Sequence, residues 1–561
     1  VGGGINGAGI ARDAAGRGLS VLLCEQDDLA AHTSSASTKL IHGGLRYLEY
    51  REFGLVRKAL LERETLLRAA PHILWPLRFV MPHMPDLRPA WLIRAGLFLY
   101  DHLARRELLA GSCGIDMRRH PAGEPLVDSI RRGFVYSDGW VDDARLVVLN
   151  ALDAAERGAT VLTRTKLVSA VRAGGEWHAR LESADGRAID MRAGAIANAA
   201  GPWVGELLQG ALGRGAAHSV RLVKGSHIVT RRLFTHDHAY IFQNPDKRII
   251  FAIPYEHDYT LIGTTDIEYR DDPAQVAITA GETQYLCDSI NRYFKRKITP
   301  ADVCWTYSGV RPLLEEEGAD NPSAVTRDYR LELDAPPGEA PLLSVFGGKI
   351  TTFRKLAEEA VDELSRALEA PAPAWTAGAP LPGGDIPNAG FERFAAQFRQ
   401  QHAWLPADLA RRYARAYGTR ATYVVGRARA VEDVGRIINP KTLHSQTVGA
   451  IVQGLGGAFL EHLVYDAEGQ LLTGSLADYM MPVASDFPTI RAVALELYPS
   501  PVNPLGAKGA GEGGIIPVGG VVANAVAAAL ASLGVQPHEL PLSPPRLWQL
   551  IKEAQPSRSA G

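Results

Sequence analysis

VGGGINGAGIARDAAGRGLSVLLCE (1–25) is the stretch whose reading decides the architecture. Gly2-x-Gly4-x-x-Gly7 leads into a helix-like segment, Ile10 to Arg17. The apolar run Val21-Leu22-Leu23-Cys24 follows and ends at Glu25. Each glycine has a task in such a pattern. One permits a tight turn, the next lets the backbone approach a pyrophosphate, and the third lets helix and strand pack closely, with the helix N-terminus facing the negative charge. Glu25, 18 positions after Gly7, stands where a ribose hydroxyl is held. The pattern says dinucleotide without choosing between NAD and FAD. Only Val1 stands in place of the strand that precedes such a turn, where about five or six residues are usual. Either more chain precedes it in the native protein or the nucleotide is bound poorly.

Working outward, 561 residues are too many for one core, and several domains are expected. With 46% apolar and 22% charged residues the composition is that of a soluble globular protein and argues against extended disorder. A net charge of −2 excludes a whole-chain case for nucleic-acid binding. Lys39 to Arg132 nevertheless carries 16 Lys/Arg against 10 Asp/Glu, which fits an anionic ligand, an anionic membrane surface or a solvated basic face. Cys24, Cys113, Cys287 and Cys304 are scattered, so no disulfide framework or metal site is expected and a reducing compartment fits. No signal peptide is visible, and the apolar runs are too broken to span a bilayer: Arg94 and Asp101 interrupt one, Pro517 and Asn524 the other.

Further along come TSSASTKLIHGGLRYLE (33–49), RPAWLIRAGLFLYDHL (88–103), YSDGWVDDARLV (136–147), VLTRT (161–165), NAAGPWV (198–204), RLVKGSHIV (221–229), LIGTTDIEY (261–269), WTYSGVRPL (305–313), LLSVFGGKITTFRKLAE (342–358), LPGGDI (381–386) and ARRYARAYG (410–418). In this order, over roughly residues 1–428, the blocks resemble the aerobic FAD-dependent glycerol-3-phosphate dehydrogenases. Read physically, small hydroxyl residues and glycine pairs suit close backbone approach to a flavin and its phosphates. The resemblance implies FAD contacts at Gly2, Gly4, Asn6, Gly7, Glu25, Thr33, Ser34, Ser35, Ser37, Lys39, His42, Gly43, Gly44, Leu45, Ala200, Gly201, Gly348 and Thr351. Ala200 departs from the Thr often found there, a change that a backbone role survives. His42 is expected to orient its loop rather than react.

The resemblance also implies a pocket for sn-glycerol 3-phosphate built from Arg46, Tyr47, His227, Arg311, Lys349 and Thr351. Arginine suits a phosphate dianion because its planar fork gives two hydrogen bonds to one group. Arg46 and Arg311 are read as the grip, with Lys349 adding charge near the flavin. His227 is read as the proton acceptor because its ordinary pKa lies near neutrality; Lys349 is the alternative if cations depress its pKa. The bland readings are a structural His227 and an Arg311 paired with Glu315. A runner-up chemistry is that of the D-amino-acid and glycine oxidases, which also use G-x-R-P, and a non-catalytic chimeric product is a third. The implied acceptor is a quinone, with the protein peripheral at the cytoplasmic face of the membrane and a homodimer possible. Trp75 to Leu109 mixes aromatic and arginine residues as an interfacial helix does, or as a core helix with solvated arginines does.

After about Val431 the resemblance changes. VEDVGRIINP (431–440), GAIVQGLGGAFLEHLVYDAEGQLLTGSLADYMMP (449–482) and PSPVNPLGAKGAGEGG (499–514) resemble the C-terminal end of the molybdenum-binding subunit of the xanthine and carbon-monoxide dehydrogenases. There Glu512 matches the base beside molybdenum and Gln446 a pterin contact. The other cofactor-binding segments of that family are absent, so no molybdenum activity is expected.

The expected fold is α/β: a doubly wound FAD-binding domain interleaved with an antiparallel-sheet substrate domain, a short helical remnant and an α+β tail. The dehydrogenase core is placed at 1–375, with FAD-binding segments near 1–70, 135–215 and 340–365 and substrate segments near 71–134 and 216–339. A truncated helical domain (376–430) and the tail (431–561) follow. Thr160–Val171, Trp177–Leu181 and Ile249–Gly263 are expected to be strands of the substrate layer.

Overall fold

The computed structural model describes the chain except residues 85–87, 216–219, 247, 315–327, 404, 425–428, 484–485, 488–489 and 555–561. Two compact units emerge. The first is Val1–Phe391 with Arg415–Thr419, and the second is Glu392–Ala414 with Arg420–Gly561.

In the first unit the helix Ile5–Gly16 is buried along nearly its whole length and packs on the helices Asp143–Glu156 and Phe353–Ala367. Small residues make this possible: a Cβ at Gly9 would sit 2.8 Å from the Phe353 ring. The buried pair Arg12–Asp153, at 2.6 Å, ties the first two helices together. Beside them Leu22–Cys24 pairs in parallel with Thr160–Leu162, and Ile196–Asn198 pairs in parallel with Leu342–Phe346. Val1 and Gly2 lie between these pairs. The Val1 ammonium donates to Ala197 O (2.8 Å), Ala199 N–H donates to Val1 O (2.9 Å) and Gly2 N–H donates to Cys24 O (2.9 Å).

The second layer is a ten-stranded, mostly antiparallel sheet. Towards one edge Leu74–His83 pairs with Arg132–Val141, with the short strand Leu40–Ile41 at the edge itself. At its other side Val220–Arg231 runs antiparallel to both Val303–Leu314 and Tyr259–Gly263, which places His227 opposite Tyr307 and Gly263. The aromatic cluster Tyr240, Phe242, Tyr293 and Phe294 fills the space under the helix Ala280–Asn291. The α/β class read from the sequence is the one observed.

The strand expectations need one correction. Residues 160–171 are not one strand of the substrate sheet. The chain turns at Arg164, whose φ is 52°. The part before it belongs beside the nucleotide strand, and the part after it, Thr165–Ala173, forms a separate three-stranded sheet with Glu176–Ser183 and Ala188–Ala193. Only 249–263 lies in the large sheet, as Ile249–Tyr255 and Tyr259–Gly263 joined through Glu256 and His257 at positive φ.

The second unit holds a parallel pair, Arg429–Asp433 with Arg491–Leu495, and the helices Pro440–Phe459 and Val518–Ala529. Asn439 caps the first of these helices by accepting from Lys441 N–H and Thr442 N–H. Large apolar side chains stand in solvent here, among them Val502 at 90% and Ile516 at 78% exposure.

Candidate active site

A cavity of about 530 Å³ lies in the first unit, within the range of about 300–1,000 Å³ usual for ligand sites. One wall is the glycine turn. Gly2 has φ +104°, and a Cβ there would stand 2.6 Å from Ala199 O. A Cβ at Gly7 would lie 1.9 Å from Gly2 O, so Gly7 serves helix packing from behind the wall. Gly4 and Asn6 line the cavity at the N-terminus of Ile5–Gly16, where Ser34 Oγ accepts from Ile5 N–H at 3.0 Å. Glu25 also lines it, its carboxylate accepting from Gly3 N–H at 2.6 Å. Ala200 and Gly201 come from the end of Ile196–Asn198, and Gly348 from the turn after Leu342–Phe346.

This wall fits a dinucleotide. The Asn6 Nδ2 donates to Gly347 O at 3.3 Å, whereas its Oδ1 is buried without a hydrogen-bond partner among the described residues. Gly348, at φ +101°, has no room for a Cβ, which would sit 2.7 Å from Asn6 Nδ2. Bare backbone, a helix N-terminus and an orphaned acceptor thus meet at one end of the cavity.

The segment 33–39 forms the next stretch of wall through Thr33, Ser34 and Ser37. Thr33 Oγ1 donates to Val310 O at 2.7 Å. Ser35 Oγ turns back to His32 O, and the Lys39 ammonium lies 2.6 Å from Asp143 Oδ1; neither residue lines the cavity. His42 lines it, and its backbone N–H donates to Thr351 Oγ1 at 3.3 Å. Gly43, Gly44, Leu45 and Arg46 stand outside the lining, while Tyr47 and Thr351 belong to it. Gly43 N–H donates to Tyr100 OH at 2.8 Å, and that hydroxyl donates to Asp138, itself paired with Arg63 at 2.6 Å.

His227, Arg311 and Lys349 come together on the same cavity from three distant segments. His227 is 2% exposed and stacks on Tyr307 with ring centroids 4.6 Å apart. Its Nε2 is 3.0 Å from Thr38 Oγ1, and its Nδ1 has no hydrogen-bond partner among the described residues. Burial first, then the charges of Arg311 and Lys39, hold its pKa down to about 3. The argument from an ordinary pKa near neutrality is therefore corrected: His227 is uncharged at pH 7 because it is buried beside cations. Arg311 Nη2 lies 2.8 Å from Asp266 Oδ1 and donates to Thr265 O at 3.1 Å. Its sequence-based partner, Glu315, falls outside the described residues. The Lys349 ammonium stands 4.1 Å over the Tyr47 ring. Asp143, Asp266 and Thr38 were not singled out in the sequence, although all three lie inside the quoted blocks; the acidic pair Asp142–Asp143 at a helix start was the readable signal.

Gln446 and Glu512 both lie in the second unit with exposed side chains, Gln446 on Pro440–Phe459 and Glu512 ahead of Val518–Ala529.

A glycine turn, a helix N-terminus and a cationic pocket on one cavity define a dinucleotide-dependent oxidoreductase. Residues 1–354 match the family described as FAD dependent oxidoreductase, and residues 419–488 match the molybdopterin cofactor-binding domain. Glycerol-3-phosphate dehydrogenase of Pseudomonas aeruginosa is 57% identical over 435 residues, covering 78% of this chain and 84% of that protein. D-erythritol 1-phosphate dehydrogenase of Brucella abortus is 55% identical over 437 residues, covering 78% and 87%. The solved glycerol-3-phosphate dehydrogenase of Bacillus halodurans, complexed with FAD, superposes with a TM-score of 0.60 at 30% identity, covering 75% of each chain. The chain belongs to the FAD-dependent oxidoreductases and, within them, to the glycerol-3-phosphate dehydrogenase family, with a molybdopterin-domain segment fused behind it.

Proposed function

We propose that this chain oxidises sn-glycerol 3-phosphate to dihydroxyacetone phosphate and passes the electrons to a quinone. The observation that carries this reading is the convergence of His227, Arg311 and Lys349 on the cavity that the glycine wall also lines. FAD, when bound, supplies the hydride acceptor. The residues of the chain do the rest. Arg311 and Lys349 hold the phosphate dianion, with Asp266 fixing one edge of the guanidinium. Arg46, half-buried beside Tyr47, adds charge from behind the wall. His227, uncharged, takes the hydroxyl proton. A dianion beside Arg311 offsets the charge that depresses the imidazole, so substrate binding itself raises its basicity.

The FAD set is proposed as Gly2, Gly4, Asn6, Glu25, Thr33, Ser34, Ser37, His42, Ala200, Gly201, Gly348 and Thr351 on the lining, backed by Gly7, Ser35, Lys39, Gly43, Gly44 and Leu45. The dehydrogenase is read as a core at 1–375 with a cut-short helical domain at 376–430, followed by a tail without molybdenum chemistry. The amino-acid oxidase reading is set aside by relatives above 50% identity that are named for phosphorylated polyols. One of those relatives acts on D-erythritol 1-phosphate, which makes a longer polyol phosphate the second reading.

Docking at the cytoplasmic membrane face is supported by the helix Ala90–His102. It exposes Trp91, Leu92, Phe98 and Leu99 in the neighbourhood of Arg88, Arg94 and Arg105. No helix among the described residues is long and apolar enough to cross a membrane. A homodimer is proposed from the family alone. Steady-state turnover with a soluble quinone tests the substrate: the reading expects kcat/KM to be highest for sn-glycerol 3-phosphate, whereas preference for D-erythritol 1-phosphate or a D-amino acid refutes it.

A further inference from the structure

Behind the cavity wall, Asp143 is a fully buried carboxylate at the first turn of the helix Asp143–Glu156. Its Oδ1 lies 2.6 Å from the Lys39 ammonium, and its Oδ2 accepts from Ser37 Oγ at 2.7 Å and Ser37 N–H at 3.2 Å. Ser37 Oγ in turn accepts from Lys39 N–H at 2.9 Å. These bonds clamp Ser37 and Lys39 on either side of Thr38 and hold Lys39 at φ +60°, a conformation uncommon for a side chain of this kind. Thr38 is the residue whose hydroxyl meets His227 Nε2 at 3.0 Å. Ser37 O accepts from Tyr307 OH at 2.9 Å, and the Tyr307 ring is the one stacked on His227.

We propose that Asp143 is a positioning residue for His227, acting through the Ser37-Thr38-Lys39 clamp that sets the Thr38 hydroxyl and the Tyr307 ring against the imidazole. Asp143 touches neither the cavity nor His227. Its effect runs along two routes from one carboxylate: the Ser37 bonds set the geometry, and the Lys39 pair balances a charge that otherwise disfavours a proton on His227. Burial pushes the Asp143 carboxyl pKa up, while Lys39 and Ser37 pull it down, so the carboxylate and its cation depend on each other.

The inference rests on His227 taking the substrate proton, and the experiment separates the two claims. In the full-length, FAD-loaded chain, Asp143→Asn and Thr38→Val are each expected to lower kcat about two- to tenfold, the worth of one hydrogen bond, with KM for sn-glycerol 3-phosphate changed less than about twofold. Thr38→Ser, which keeps the hydroxyl, is expected to restore kcat. The double variant is expected to be slowed by less than the product of the two single effects, because the two substitutions share the Thr38 contact. Multiplying effects in the double variant overturn the inference, as does an unchanged kcat per bound flavin in Asp143→Asn. If the wild-type chain proves inactive on this substrate, the crystal structure of Asp143→Asn still decides: Thr38 Oγ1 leaves Nε2 if the clamp positions it, and an unmoved pair overturns the proposal.

Discussion

Burial between Thr38, Tyr307 and Gly263, with Arg311 and Lys39 near, keeps His227 neutral down to about pH 3, so it is unprotonated across the working pH range and draws its basicity from the substrate dianion that offsets those cations. His227→Gln is expected to lower kcat by about 10²- to 10⁴-fold, the span of general-base catalysis. The wild-type kcat/KM profile should show no acid limb from this histidine near pH 6.5, and a limb there that vanishes in His227→Gln contradicts its lowered pKa. His72, fully buried, is held at about 4, by burial first and by Arg145 and Arg415 next. Its folded pKa is below the unfolded value of 6.5, so the unfolded chain takes the proton first as pH falls. Stability is complete above that value and drops toward pH 4 by about 1.4 kcal/mol per pH unit for this group. Thermal melts between pH 7 and 4.5 should show a shallower decline for His72→Asn than for wild type, and parallel declines argue against it. Residue types in motifs were legible in the sequence: Gly2, Gly4, Gly201, Gly348, His227, Arg311 and Lys349 reach the cavity, whereas Gly7, Gly43, Gly44 and Arg46 stand outside its lining. Their electrostatic state was not, because burial and partners such as Asp266 depend on segments brought together only by the fold.

At the scale of elements, the turn Phe346-Gly347-Gly348 lies against the Asn6 side chain of the helix Ile5–Gly16, with Gly347 and Gly348 both at positive φ. Gly348→Ala is strained in conformation and pushes its methyl into Asn6, so FAD content measured by visible absorbance should fall sharply while the far-UV signal of the fold persists. Retained stoichiometric flavin contradicts that account of the wall. The helix Ala90–His102 has Leu97 and Tyr100 turned into the core and Trp91, at 71% exposure, outside. The sequence left interfacial and buried readings of this segment open, since apolar spacing alone does not say which face is covered. Replacing Trp91 and Phe98 by serine should weaken co-flotation with anionic vesicles at low salt; equal flotation of both proteins removes this helix from the docking face. Strand assignment by alternation placed 249–263 in the right sheet and misplaced 160–171 and 177–181. There, one positive-φ residue sends the chain from the nucleotide strands into a separate sheet.

At the scale of the whole molecule, an oxidoreductase unit with a formed cavity is joined in one chain to a segment that matches a molybdopterin cofactor-binding domain, and Gln446 and Glu512, the positions that the sequence resemblance implies for a cofactor, are exposed to solvent. A bulky cofactor needs a cradle, and two solvated side chains do not make one. Elemental analysis of the purified chain is expected to find far less than one molybdenum per molecule, and a stoichiometric amount overturns this reading. That the chain joins two families was legible because both segments carry long motifs; the sequence reading set the change near 431, and the molybdopterin-domain match begins at 419. The two compact units divide elsewhere, at 391–392 and around 415–419, where the helical segment leaves and re-enters the first unit. The most direct test of the central claim is to add sn-glycerol 3-phosphate to the purified, oxygen-free protein and follow its visible spectrum. A flavin spectrum that bleaches on addition is the predicted result; bound flavin that stays oxidised with this substrate contradicts the proposed function.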